Sequence, residues 1–157
     1  MEINIRHASE EDLEPLTELI ARLKTLNEEL DPNFKVVDNL MDEARRYVLE
    51  TLSDESSFIL VAVDEPRGEV VGFIRVSLTD RRFYEPKMMA LITDLYVKAR
   101  YRRRKVGLML LEKAKEESRR LGAGILAAHY PSYNSIASKF YEKAGFKILE
   151  YLRFIRL

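Results

Sequence analysis

The sequence predicts an α/β (α+β) fold: one domain over residues 1–157, with a mostly antiparallel, twisted sheet of six to seven strands flanked by about four helices. Three observations carry this. Short β-branched and aromatic runs alternate with longer runs at helical spacing along the whole chain. A tight Pro66-Arg67-Gly68 turn joins two of the strand-like runs, so part of the sheet is antiparallel. The apolar run ending at Val97 crosses a basic stretch, residues 100–105, into a helix that leads to a further strand, which implies a parallel crossover.

Taken in order, Ile3 and Ile5 alternate with Asn4 and Arg6, a short strand. Ser9 and Asp12 have capping-box spacing, and Leu13, Leu16, Ile20 and Leu23 continue at helical period. Pro15 lies inside that run, so either a short first turn precedes it or Pro15 itself opens the regular helix. Asp31-Pro32-Asn33 breaks the chain, and Leu40, Ala44, Tyr47, Val48 and Leu52 mark a second helix over about 37–52. Residues 58–63 and 69–78 form a hairpin, in which Gly72 signals a bulge or close packing. After a charged loop, 79–87, comes a strand over 88–97, then the basic turn and a helix over 106–121 closed by Gly122 and Gly124. Residues 125–129 are a short strand, 135–144 a last helix stopped by Gly145, and 148–157 a final strand or pair of short strands.

Composition narrows the function. Twenty-six Lys and Arg balance 26 Asp and Glu, so nothing global draws the chain to nucleic acid or membrane, and neither partner is expected. The chain has no cysteine, which excludes a disulfide framework, a thiolate metal site and a cysteine nucleophile. The opening residues are charged, and no apolar run approaches the roughly 20 residues that span a bilayer, so a cytoplasmic protein is expected.

Five of the six residues at 100–105 are Arg or Lys, at the start of a helix. Unpaired backbone N–H groups and the positive end of the helix dipole meet there and suit a phosphate, first of all a pyrophosphate. A solvated loop and a groove for nucleic-acid phosphates are the other readings of the same run. Lack of a second basic strip weighs against the groove.

These residues resemble the GNAT superfamily of N-acetyltransferases, which move an acetyl group from acetyl-CoA to an amine. Leu95-Tyr96-Val97, followed by Tyr101-Arg102-Arg103-Arg104-Lys105-Val106-Gly107 and Leu110-Leu111, is similar to the family's acetyl-CoA loop, R-x-x-G-x-G/A. The stretch 134–146, from Asn134 through Ala137, Phe140, Tyr141 and Lys143 to Gly145-Phe146, is similar to its N-x-x-A-x-x-F-Y-x-K-x-G-F motif. Ile5-Arg6-His7-Ala8 and Asp12-Leu13 resemble its opening strand and helix. The chain departs at Lys105, where the family's loop usually has its first Gly; a Lys there adds a Cβ at the pyrophosphate contact.

The resemblance implies acetyl-CoA as co-substrate, no metal, and a splayed central strand pair whose first strand, the one ending at Val97, is bulged. The pantetheine would pair with the free edge of the Leu95, Tyr96 and Val97 strand, one of whose N–H groups would polarise the thioester carbonyl. Arg102, Arg103, Arg104, Lys105, Val106, Gly107 and Leu108 would form the pyrophosphate turn, with Arg100, Arg103 or Lys105 reaching the 3′-phosphate. Asn134 would bond the pantetheine arm. Without a cysteine, direct attack by the amine in a ternary complex is the simpler mechanism. Tyr141 is the general acid for the departing thiolate; filling a core face beside Ile136, Ala137, Phe140 and Ala144 is its other reading. Many family members place a Glu before the splay where this chain has Thr93 and then Asp94. Asp94 is the candidate base if burial raises its pKa, or else a carboxylate bonding backbone near the bulge; His129 is an alternative relay or a structural side chain.

The expected acceptor is a primary amine of a small molecule or a protein N-terminus, near the 27–37 loop, Arg75, the Tyr84 loop and the Tyr130 to Tyr133 turn. A CoA-binding or interaction domain with little or no transfer is the alternative, motivated by Lys105 and the missing Glu. The apolar stretch 148–157 suggests an edge needing cover, so a homodimer is an open alternative to a monomer.

Overall fold

A computed structural model describes residues 2–157. The order is β1 (Ile3–His7), α1 (Leu13–Leu30), α2 (Leu40–Leu52), β2 (Ser57–Asp64), β3 (Glu69–Asp80), β4 (Met88–Val97), α3 (Val106–Arg120), β5 (Ile125–Ala128) and α4 (Ser135–Lys143). One five-stranded sheet runs β1-β2-β3-β4-β5, antiparallel throughout except for the parallel β4–β5 pair. The α3 crossover between those two strands is the one expected from the basic turn.

Each face of the sheet carries its own core. Leu16, Leu19, Ile20 and Leu23 of α1 and Ala44 and Val48 of α2 pack on Ile59, Val61, Val63, Val70 and Phe73. Val106, Leu110, Leu111 and Ala114 of α3, with Tyr141 of α4, pack on Leu60, Ala62, Ile74, Val76 and Ile92. β2 is covered on both sides and buried at every position, which is why it reads as an unbroken apolar run.

Local chemistry explains the boundaries. A single turn at Glu10–Asp12 precedes α1, so Pro15 is the third residue of the helix, where its missing N–H would have had no partner. Asp12 caps the start of that turn, its carboxylate accepting from the Ser9 N–H at 2.9 Å while Arg6 clamps it with two bonds. α2 begins at Leu40 rather than near residue 37, since the Val36 N–H is taken by Glu28 Oε2 at 2.8 Å and holds the preceding chain out of the helix. Both readings of Gly72 hold. β3 shifts register against β2 beside it, and a Cβ on Gly72 would stand 3.0 Å from the Tyr96 carbonyl oxygen.

One expectation fails. Residues 148–157 form no strand, so the sheet has five strands rather than six to seven. A strand exists only where a neighbouring edge accepts its backbone bonds. Among the described residues no backbone hydrogen bond joins 147–157 to the sheet. The segment leaves α4 and is held near its end by Arg156, whose Nε and Nη2 donate to Asn33 Oδ1 at 3.0 and 2.9 Å.

Candidate active site

The site starts from one extra residue. Arg75 of β3 pairs with Asp94 and Val76 with Ile92, so Thr93 is a bulge on β4. The extra residue inverts the side-chain alternation. Ala90 and Ile92 face the α3 core and so do Leu95 and Val97, while Asp94 and Tyr96 turn to the α1/α2 side. The bulge therefore swings a carboxylate under the helices instead of into the apolar core of α3.

It also opens the sheet. Parallel pairing between β4 and β5 covers only Met89 to Ile92, with a last rung from the His129 N–H to the Ile92 carbonyl at 3.3 Å. Beyond it β4 continues to Val97, paired on the β3 side alone. The free edge and the splay implied by the resemblance are both present.

Asp94 lies on the α1/α2 flank of this opening with its side chain fully buried. Its carboxylate accepts from Lys24 Nζ at 2.6 Å, Tyr47 OH at 2.6 Å and Thr93 Oγ1 at 2.9 Å. Arg75 extends the network, bonding Thr51 Oγ1 and Thr93 Oγ1 and lying 4.2 Å over the Tyr47 ring. Burial by itself would push the Asp94 carboxyl up, but the Lys24 charge and the three hydrogen bonds outweigh it and hold the group below the usual carboxylate range. The shift is opposite to the upward one a base would need. Tyr47 is pushed up, by burial first and by the charge of Asp94 second.

Lys24 and Tyr47 were missed by sequence reasoning, yet each leaves a trace there. Lys24 follows Ile20 by four residues and Tyr47 follows Ala44 by three, so both are polar groups on the buried face of a helix.

Tyr141 lies on the opposite flank, 5% exposed. Its ring stacks on Tyr130 at 5.4 Å and meets Phe140 and Phe146 edge-on at 5.2 and 5.1 Å. Its hydroxyl has no hydrogen-bond partner among the described residues. Burial, then the neighbouring Tyr130 and the charge of Asp94, push its pKa up, so the phenol keeps its proton. The core-filling reading of Tyr141 holds for its ring, and the hydroxyl is left uncommitted. Asn134 caps α4, accepting from the Ala137 N–H at 3.1 Å, and its Nδ2 donates to Asn27 Oδ1 at 3.3 Å. It is thus the N-cap preceding the helix of Tyr141.

At the mouth, no side chain caps α3. Arg103 and Lys105 both adopt left-handed backbone, φ 66° and 62°. Lys105 thus takes at its own backbone a conformation that a Gly holds without strain. Bends of this kind expose successive N–H groups on one concave side, an anion-binding arrangement. Arg102 is drawn to the strand, its Nε donating to the Val97 carbonyl at 3.0 Å and its guanidinium 5.3 Å over Tyr96. Arg104 lies 5.8 Å over Tyr101. Arg100, Arg103 and Lys105 are all exposed, and Arg100 is also paired with Glu69, so all three candidates for a 3′-phosphate are accessible. Val106 is buried, Leu108 is exposed, and Gly107 lies where a Cβ would come within 3.1 Å of the Phe140 ring. His129 is exposed at the end of β5 and contributes its backbone. An open cleft of about 720 Å³ adjoins this mouth, lined in part by Glu18, Arg22, Met41, Tyr96 and Arg102.

A parallel strand pair that parts beyond Ile92, a left-handed bend ahead of an uncapped helix and a buried tyrosine on the helix after β5 define an α/β protein with an open, ligand-sized edge in its sheet. The family comparison is specific. The model for the Acetyltransferase (GNAT) family matches residues 23–146, and the chain belongs to that family. Solved structures agree on the fold. An aminoglycoside acetyltransferase, AAC(6')-Iy in complex with the bisubstrate analog CoA-S-monomethyl-acetylneamine, is 19% identical with a TM-score of 0.77, covering 100% of this chain and 99% of its own. A predicted acetyltransferase with acetyl-CoA from Clostridium acetobutylicum is 18% identical with a TM-score of 0.78, covering 98% and 96%. A transcriptional regulator from Bacillus halodurans C-125 is 22% identical with a TM-score of 0.79, covering 99% and 100%. No curated protein sequence matches.

Proposed function

We propose that this protein is an acetyl-CoA-dependent N-acetyltransferase that moves the acetyl group directly to a primary amine in a ternary complex. The observation that carries the reading is the opening between β4 and β5, with the uncapped α3 turn at its mouth and the Tyr141 phenol on its flank. The residues fit acetyl-CoA: the β4 edge beyond Ile92 has backbone groups for pantetheine amides, and the bend at Arg103 and Lys105 has N–H groups for a diphosphate. Acetyl-CoA, when bound, supplies the thioester acyl group. A β4 N–H at Leu95, Tyr96 or Val97 orients and polarises the carbonyl, and Tyr141 holds a proton for the departing sulfur. Arg103 and Lys105 add charge for the remaining phosphate.

In this reading Asp94 serves as a fixed negative charge that holds Lys24 and Tyr47 along the acceptor side, because a carboxylate held low is a weak proton acceptor. That favours amines already neutral at working pH. An alkyl ammonium with pKa about 10.4 is neutral in about one molecule in a thousand at pH 7, an α-amine near 8 in roughly one in ten. Amino-acid or peptide N-termini are therefore the acceptor class we favour. Two measurements test the reading. Titration calorimetry with CoA is expected to show saturable binding, and no heat removes the donor site. An amine screen read by free thiol is expected to rank α-amines above alkyl polyamines at neutral pH; the reverse order overturns the acceptor assignment.

A further inference from the structure

One charge on the α1/α2 side of the sheet has nothing to balance it. Arg75 of β3 is half-buried between Tyr47 and the bulge of β4. Its Nε donates to Thr51 Oγ1 at 2.8 Å and its Nη1 to Thr93 Oγ1 at 3.0 Å, with the Tyr47 ring 4.2 Å away. Two hydroxyls and a ring face hold the guanidinium in place without neutralising it. Among the described residues no carboxylate lies within ion-pair distance of Arg75, whereas Arg6 and Arg45 each hold one. Asp94 is taken up by Lys24, and Asp54 bonds Ser56 and Ser57 at the surface. Lys24, Arg75 and Asp94 therefore leave one positive charge over in a half-buried place, an arrangement that an arriving anion relieves.

The geometry around that charge is open. Arg75 Nη2 bonds no described residue, and the Thr93 bond carries the guanidinium across to β4, the strand that borders the gap. Ala90 and Ile92 face the α3 core, so Met89 and Leu91 face the α1/α2 side. Their register partners on β5, Ile125 and Ala127, lie on the same face. All four are partly buried, and neither apolar core takes them in. A fixed cationic fork beside an apolar floor suits a small molecule with a carboxylate at one end and an apolar side chain.

We propose that Arg75 binds the carboxylate of the acceptor, which is then a free amino acid with an apolar side chain. Its α-carboxylate pairs with Arg75, its side chain lies over Leu91 and Ala127, and its amine points to the gap. A peptide N-terminus has no main-chain carboxylate close to its amine, and a polyamine brings further cations toward Lys24 and Arg75. The pairing also helps the amine. A free amino acid's own carboxylate favours its ammonium form; Arg75 cancels that charge, and Lys24 nearby disfavours a second cation. The amine end of this ligand rests on the acetyl-transfer reading; the carboxylate end does not.

N-acetyl-L-leucine and N-acetyl-L-leucinamide serve as probes, since they share a side chain and differ by one charge. Calorimetry on the full chain, with and without CoA, is expected to show the acid binding about thirtyfold more tightly than the amide. Arg75→Gln is expected to bring that ratio close to one. Arg75→Lys, which keeps the charge and loses the fork, is expected to keep part of it. A merely structural Arg75 would weaken both probes alike. Equal affinity for the two probes, binding of neither, or a ratio that survives Arg75→Gln overturns the proposal, and the first two outcomes need no variant. Free-thiol release from acetyl-CoA with leucine keeps the two readings apart. No release beside an intact probe ratio counts against acetyl transfer and leaves the carboxylate site standing. Release beside a ratio of one keeps acetyl transfer and removes the site.

Discussion

At the scale of single residues, Tyr141 and Lys105 carry the sharpest consequences. Replacing Tyr141 by Phe keeps the ring stack with Tyr130 and removes only the proton donor. Turnover is expected to fall by about 10²–10⁴-fold with CoA binding nearly unchanged, read by steady-state kinetics beside calorimetry. Lys105 holds a left-handed conformation that costs an L-residue on the order of 1 kcal/mol or more. Lys105→Gly is expected to raise stability by about 1 kcal/mol, less the entropy Gly gives back to the unfolded chain, as a higher Tm in calorimetry. Asp94 sets an acid limit. Its carboxyl, like that of Asp12, is held below its ordinary value, so at low pH the unfolded chain binds more protons than the folded one. Stability is complete above about pH 5 and is lost as pH falls through the folded pKa values. Denaturant titrations along that range should show a shallower slope for Asp94→Asn; an unchanged slope would remove Asp94 as the source.

At the scale of elements, β4 and α3 show what could be read in advance and what could not. The bounds of β4 and the start of α3 follow from the sequence, because β-branched runs and helical spacing are local signals. The bulge was legible only in part: apolar positions 90 and 92 pass to 95 and 97, a slip from even to odd that points to one extra residue. What that slip brings together was not legible. Lys24, Tyr47 and Asp94 meet from three elements, and their contact depends on how α1 and α2 cross the sheet. The direction of the Asp94 shift was lost for the same reason, since burial was foreseen and the ammonium beside it was not. α3 also contains a local mismatch. The Ser118 hydroxyl is buried with no hydrogen-bond partner among the described residues. Ser118→Ala is expected to stabilise the protein by about 1 kcal/mol, from a removed desolvation cost and better helix propensity, measured by chemical denaturation.

For the whole molecule, the two-layered cover of one sheet was predictable and the strand count was not. Periodicity reports that residues 148–157 are apolar and β-prone, but no sequence signal says which edge receives them. A strand is a relation between two segments, and among the described residues no segment of the sheet pairs with 148–157. Ligand binding belongs to this scale as well. If CoA binds only the folded state, saturating CoA at about 100 times its Kd is expected to add about 2.7 kcal/mol to global stability, visible as a concentration-dependent rise in Tm. A Tm that ignores CoA would count against a preformed donor site.

The gap where β5 parts from β4 leaves main-chain amides of Thr93–Val97 with no rung on one side. Such amides trade their protons with solvent quickly, while the paired ones on the β3 side trade slowly. Filling the gap should erase that contrast along a single strand. Deuterium uptake resolved by residue would then register occupancy directly, without any acceptor and without turnover.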